Sequence, residues 1–199
     1  MIVIHEDDNV YLVYSASREQ NYFKTCEFNE TDFVHEDNTM AWKIIGSDNC
    51  IMMCENLREN DILKYCTNLC EGVEGQLDGI AIKNKIFPAI KQALVESGEL
   101  DDVAQRTKGP FFIGQGNKVF LVGEYGNVMA IESVYVYSQL FHCAYAYLQK
   151  HKNLPVTERL QKTGEYIERI KGGLVFPFVM MDAKNQKPIL IERPTGGSI

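Results

Sequence analysis

The chain has 199 residues, 45% of them hydrophobic, enough for the core of one domain or two small ones. Its formal charge of -7 and pI near 5.2 argue against a nucleic-acid surface, because phosphate binding needs clustered Lys and Arg and the 20 basic residues here are dispersed. No window reaches the roughly 18–20 apolar residues of a membrane span, and no basic and apolar leader precedes a small-residue cleavage site. The expectation is a cytoplasmic protein that binds neither membrane nor nucleic acid, with its six cysteines as reduced thiols.

Strand signals begin at residue two. IVIHE (Ile2 to Glu6) and VYLVYSAS (Val10 to Ser17) flank the turn formers Asp7, Asp8 and Asn9, which predicts a hairpin. From Arg18 to Thr39 the polar, irregular sequence predicts a long loop. MAWKII (Met40 to Ile45) and CIMMC (Cys50 to Cys54) flank Gly46 to Asn49, a second hairpin whose nearly continuous apolar strands predict burial on both faces. The period then changes: Ile62, Leu63, Cys66, Leu69 and Cys70 share one helical face, with Asn56 and Glu59, or Asn60, available to cap it. A second helix runs from Asn84 or Phe87 to Glu96, with Pro88 in its first turn and Gly98 as its stop.

GPFFIGQGNKVFLVGEYGNVMAIE predicts further strands, turned at Glu124, Tyr125 and Gly126. Ser133 is the expected cap of a third helix whose apolar face carries Val134, Tyr137, Phe141, Cys143, Ala144 and Leu148 and which ends near Asn153. Pro155 and Thr157 open a fourth helix with the stripe Leu160, Gly164, Ile167 and Ile170, closed by Gly172 and Gly173. Leu174 to Met181 and Pro188 to Arg193 predict a final hairpin. The class is therefore α+β. Strands buried on both faces need a partner sheet on one side and helices on the other, so the economical stack is a four-layer αββα sandwich. Residues 1–193 are expected to form a single domain and 194–199 a flexible tail.

This element order resembles proteasome β-type subunits and the related bacterial proteasome-like peptidase, members of the N-terminal nucleophile hydrolase fold. NKVFLVGEYGNVMAIESVYVYS is similar to the family hairpin that leads into a small-residue motif at a helix start. KIIGSDN (Lys43 to Asn49) is similar to the segment carrying the family's active-site lysine, and the last helix and hairpin match in placement. The resemblance implies a nucleophile at Met1, an aspartate at Ser17 and a lysine at Lys43. Only the lysine is kept. A thioether has no proton to lose, Ser17 carries no charge, and removal of Met1 would expose Ile2.

Other departures point the same way. The family glycine that supplies an oxyanion-binding amide is replaced within Met53, Cys54 and Glu55, and the small-residue motif reads Glu132, Ser133, Val134, Tyr135. Near Arg169 the family's Asp and Ser-Gly pattern is not recognisable, although Gly172 and Gly173 remain. The expectation is a catalytically inactive, self-assembling proteasome-like homo-oligomer, ring-like by resemblance. The alternative is a peptidase or amide hydrolase with an unorthodox nucleophile, Ser17 or Ser133, activated by Lys43.

No cofactor or metal is expected. Cys50 and Cys54 on one strand lie roughly 13 Å apart at about 3.3 Å per residue, too far to share a tetrahedral ion, so buried thiols are the simpler reading. His142 and Cys143, adjacent on a helix, point about 100° apart and make a poor dyad. Lys43 also fits a plain role as a charged residue on an edge strand. Tyr135, Tyr137, Tyr145 and Tyr147 occupy more than one helical face and are expected to contribute subunit contacts.

Overall fold

Two antiparallel hairpins establish the framework. β1 (Ile2–Glu6) and β2 (Asn9–Ser15) pair from Ile2 opposite Val13 to Glu6 opposite Asn9; β3 (Ala41–Lys43) and β4 (Cys50–Cys54) pair from Ala41 opposite Met53 to Lys43 opposite Ile51. The structure, a computed structural model, describes residues 1–6, 8–15, 41–44, 50–73, 75–100, 103, 106–137, 141–170 and 176–194. The loop expected at Arg18 to Thr39, Ser17, the glycines at 172 and 173, and the 195–199 part of the tail lie outside the described residues.

β5 (Phe111–Gln115), β6 (Lys118–Val122) and β7 (Val128–Ala130) extend the second hairpin into a five-stranded sheet of order β3-β4-β5-β6-β7. β9 (Phe178–Asp182), β10 (Pro188–Ile191) and a short strand β8 (Val134–Val136) complete the first sheet, in the order β10-β9-β2-β1-β8. Every pairing is antiparallel. The alternation of side chains along each strand then sorts the apolar residues into three clusters.

Met1, Val3, Leu12 and Tyr14 from the first sheet share one cluster with Ala41, Ile51, Met53 and Phe112 from the second. Gly114 permits the approach: a Cβ there would lie 2.9 Å from Val10 Cγ1 on the other sheet. The opposite face of the second sheet, with Trp42, Met52 and Phe111, packs with Leu63 of α1 (Leu57–Lys64) and Ile90 and Leu94 of α3 (Phe87–Glu96). Ile2, Ile4, Val13 and Phe178 pack instead with Ala144 and Leu148 of α4 (Phe141–Lys150) and Leu160 and Ile167 of α5 (Val156–Arg169). Each fully buried side chain of this size stabilises the fold by roughly 1.5–3 kcal/mol.

Three helix boundaries differ from the sequence-based expectation. α1 is capped by Asn56, whose Oδ1 accepts the Arg58 and Glu59 amides, but it ends at Lys64 and not at Cys70. Beyond it lie Thr67 and Asn68, whose side chains compete for backbone hydrogen bonds. Leu69 is buried nonetheless, carried in by the turn that follows. α3 has the expected Pro88 and a Gly98 stop at φ +74°, and it continues backward through a π-helical segment (Ile82–Ile86) into α2 (Gly79–Ala81), capped by Asp78. Proline removes an amide and crowds the carbonyl four residues earlier. The wider π turn just before Pro88, with the Phe87 amide bonded to Ile82 O, accommodates both effects.

The third difference concerns Ser133, which caps no helix. Val134–Val136 form β8 on the open edge of β1, with Ile2 opposite Val136 and Ile4 opposite Val134, and α4 begins at Phe141. The β-branched and aromatic Val-Tyr-Val triplet suits a strand. The unpaired amides and carbonyls of β1 supply the reason to form one.

Candidate functional site

Met1 sits in the ladder as well as in the core. Its nitrogen donates to Tyr137 O at 3.0 Å and its carbonyl accepts the Tyr137 amide at 2.9 Å, while the side chain, 4% exposed, lies in the cluster shared by both sheets. Lys43 is exposed at the end of β3, the edge strand of the second sheet. It stands opposite Ile51 and two residues from Ala41, both members of that same cluster, so Lys43 projects to the side of its sheet on which Met1 packs.

Ser133 is elsewhere. The His5 amide donates to its carbonyl, four residues along β1 from Met1, which corresponds to roughly 13 Å at about 3.3 Å per residue. Ser133 and Met1 are therefore at opposite ends of one strand, and Ser17 lies outside the described residues. The amides at the position of the replaced family glycine are committed: Cys54 N–H donates to Asn60 Oδ1 at 2.9 Å, and Glu55 N–H to Pro110 O at 3.1 Å. Neither points a free donor at an incoming oxyanion.

Of the four tyrosines, Tyr137 and Tyr145 are 38% and 42% exposed. Tyr135 and Tyr147 are half-buried: Tyr135 packs at 5.8 Å from Phe112, and Tyr147 stacks on Tyr166 at 4.4 Å. Among the described residues no group of three or more His, Cys, Asp or Glu could hold a metal ion, and no helix is long and apolar enough to cross a membrane.

The sequence reading missed a buried polar junction at the start of α1. Glu59, fully buried, accepts the Lys108 amide at 2.7 Å through Oε1 and faces Cys54 Sγ at 3.7 Å through Oε2. Burial raises the Glu59 carboxyl above its ordinary value near 4.5, and burial together with the Glu59 charge pushes the Cys54 thiol well above its own. The pattern of Asn56 followed by Glu59 signals a reciprocal cap. Asn56 does cap α1, but Glu59 bonds across to the segment before β5. No local signal discloses that partner.

The two sheets and their helices define a proteasome-like fold. The likeness is to solved structures of BPH from Thiobacillus denitrificans, a bacterial proteasome homologue. The complex of that protein with epoxomicin matches at a TM-score of 0.60 and 12% identity, over 91% of this chain and 96% of the other. A second BPH structure matches at 0.57 and 11%, over 97% and 98%. No family model and no curated protein matches the sequence.

Proposed function

We propose that this chain is a catalytically inactive, self-assembling proteasome-like protein, its single domain spanning residues 1–193 in four layers, αββα, and its place of work the cytoplasm. The observation that carries this reading is Met1. The residue at the nucleophile position of the resembled family presents a buried thioether, which cannot be activated by proton removal. The committed amides of Cys54 and Glu55 and the distance between Ser133 and Met1 support it further. Lys43 then has no nucleophile to serve, and its exposed position on an edge strand suits it to discouraging edge-to-edge aggregation.

The assembly part of the reading rests on the outer face of α4. Phe141 and Tyr145, one turn apart, are 45% and 42% exposed, and Tyr137, ahead of the helix, is a further exposed ring at 38%. Rings of this kind are enriched in interfaces. The test combines intact mass with light scattering. The expected results are no adduct with epoxomicin or with a serine-directed fluorophosphonate, no amide turnover in the native protein or in Lys43→Ala, and a defined oligomer that dissociates in Tyr145→Glu. Stoichiometric labelling of one serine would refute the inactive reading, and a strict monomer at high concentration would refute assembly.

A further inference from the structure

The Glu59 junction has a charge arrangement that goes beyond packing. The end of β4 contributes the Cys54 thiol and the carboxylate of Glu55; α1 contributes Arg58; the turn after α3 contributes Glu99; and the segment before β5 contributes Lys108. Both cations pair with Glu99, whose side chain is 3% exposed. Glu59 is left with the Lys108 and Gly109 amides, the Cys54 thiol and a neighbouring negative charge, and no ion pair of its own is seen among the described residues.

We propose that Glu59 is a proton-operated latch: with its carboxyl protonated it holds the 106–110 segment against the start of α1, and with the carboxyl ionised the latch loosens. An ionised carboxylate with no counter-ion is costly to keep from water, and opening the segment rehydrates it. Once protonated, the same group loses that penalty: Oε1 still accepts the Lys108 amide, and an Oε2 hydroxyl can donate to Cys54 Sγ. The elevated thiol keeps sulfur neutral as that partner.

The sign follows from linkage. The closed form holds its proton above pH 4.5, whereas the opened form releases it near 4.5. Closure is therefore most favoured below that value, weakens as pH rises from there through the raised value, and levels off above it.

The latch grips a mechanically connected element. The 106–110 segment leads directly into β5, the central strand of its sheet, and Thr107 bonds through its amide and hydroxyl to Glu124 O in the β6–β7 turn. Gly109 packs so closely on Asn56 that a Cβ would lie 3.0 Å from its nitrogen. Loosening at Glu59 thus frees the entry to β5 and one anchor of the neighbouring turn.

Hydrogen exchange of the full chain at about pH 4 and about pH 8, corrected for intrinsic rates, tests the latch. Protection of the Lys108 and Gly109 amides should fall with pH by about tenfold for each unit by which the two forms differ in proton affinity. Glu59→Gln, neutral at both values, should hold protection constant. Equal protection of the native protein at the two values overturns the proposal, as does an unaltered pH response in Glu59→Gln. Glu99→Gln is a second arm that removes the adjacent negative charge and frees Arg58 and Lys108. It should move the midpoint of the response to lower pH, and an unmoved midpoint likewise overturns the latch.

Discussion

Replacing Gly164 by alanine tests the packing of α5 on the first sheet. A Cβ at this position would lie 2.5 Å from Phe178 Cε2 and 2.6 Å from Phe176 Cζ. Carbon atoms settle at about 3.5–4.0 Å, so both rings would have to retreat by about 1 Å. Phe178 is 1% exposed and held within β9 between β2 and β10, and Phe176 lies 4.7 Å from it, ring to ring. Phe178 is enclosed, whereas Phe176 is half-buried. Overpacking of this kind costs about 1–3 kcal/mol, and the enclosed Phe178 ring places it at the upper end. Alanine returns about 1 kcal/mol of helix propensity, leaving a net loss of about 2 kcal/mol. For a chain of this size that lowers Tm by about 4–8 °C. Thermal melts followed by circular dichroism measure it, with urea titration to verify an unchanged m-value. An unchanged or higher Tm would show that the rings move freely and would refute the packing argument.

Two further substitutions follow from asymmetries in the structure. Arg159 is 3% exposed, its Nε has no partner among the described residues, and it pairs with Glu6, which is 29% exposed. Glu6→Gln leaves a buried guanidinium without its countercharge and should cost about 3 kcal/mol. Arg159→Met removes the buried charge itself and should cost less than about 1.5 kcal/mol; equal losses in urea titrations would contradict the assignment of the burial penalty to arginine. Ser133→Ala should change stability by less than about 0.5 kcal/mol, the range of an ordinary surface site. A loss near 1 kcal/mol, the usual cost of deleting a helix cap, would contradict the placement of Ser133 before a strand.

Features closed by neighbouring residues were legible in the sequence. The final turn was one: Asp182 accepts the Asn185 amide at 2.6 Å, and Ala183 to Lys187 turn the chain as their polar composition indicates. The start of α1 at Asn56, Pro88 in the first turn of α3 and Gly98 beyond its end were others, because each acts within a turn of its own position. β8 was not legible. Val134, Tyr137, Phe141 and Leu148 fit helical spacing, and what draws residues 134–136 into a strand is the open edge of β1, more than a hundred positions earlier in the chain. The candidate site divides in the same way. Its chemistry could be read residue by residue, whereas the separation of Ser133 from Met1 needed the register of β8 on β1.

By itself the sequence determined the α+β class, most of the hairpins and helices, and the absence of a hydroxyl or thiol on Met1, since these depend on residue type and on contacts within a few positions. Only the tertiary structure decided that Val134–Val136 pair with β1, that Lys43 projects to the side where Met1 packs, and that Glu59 meets Lys108, 49 residues away. Those outcomes are set by which buried backbone and carboxyl groups must find a partner once the sheets form. The partners lie far along the chain, beyond the reach of any local pattern.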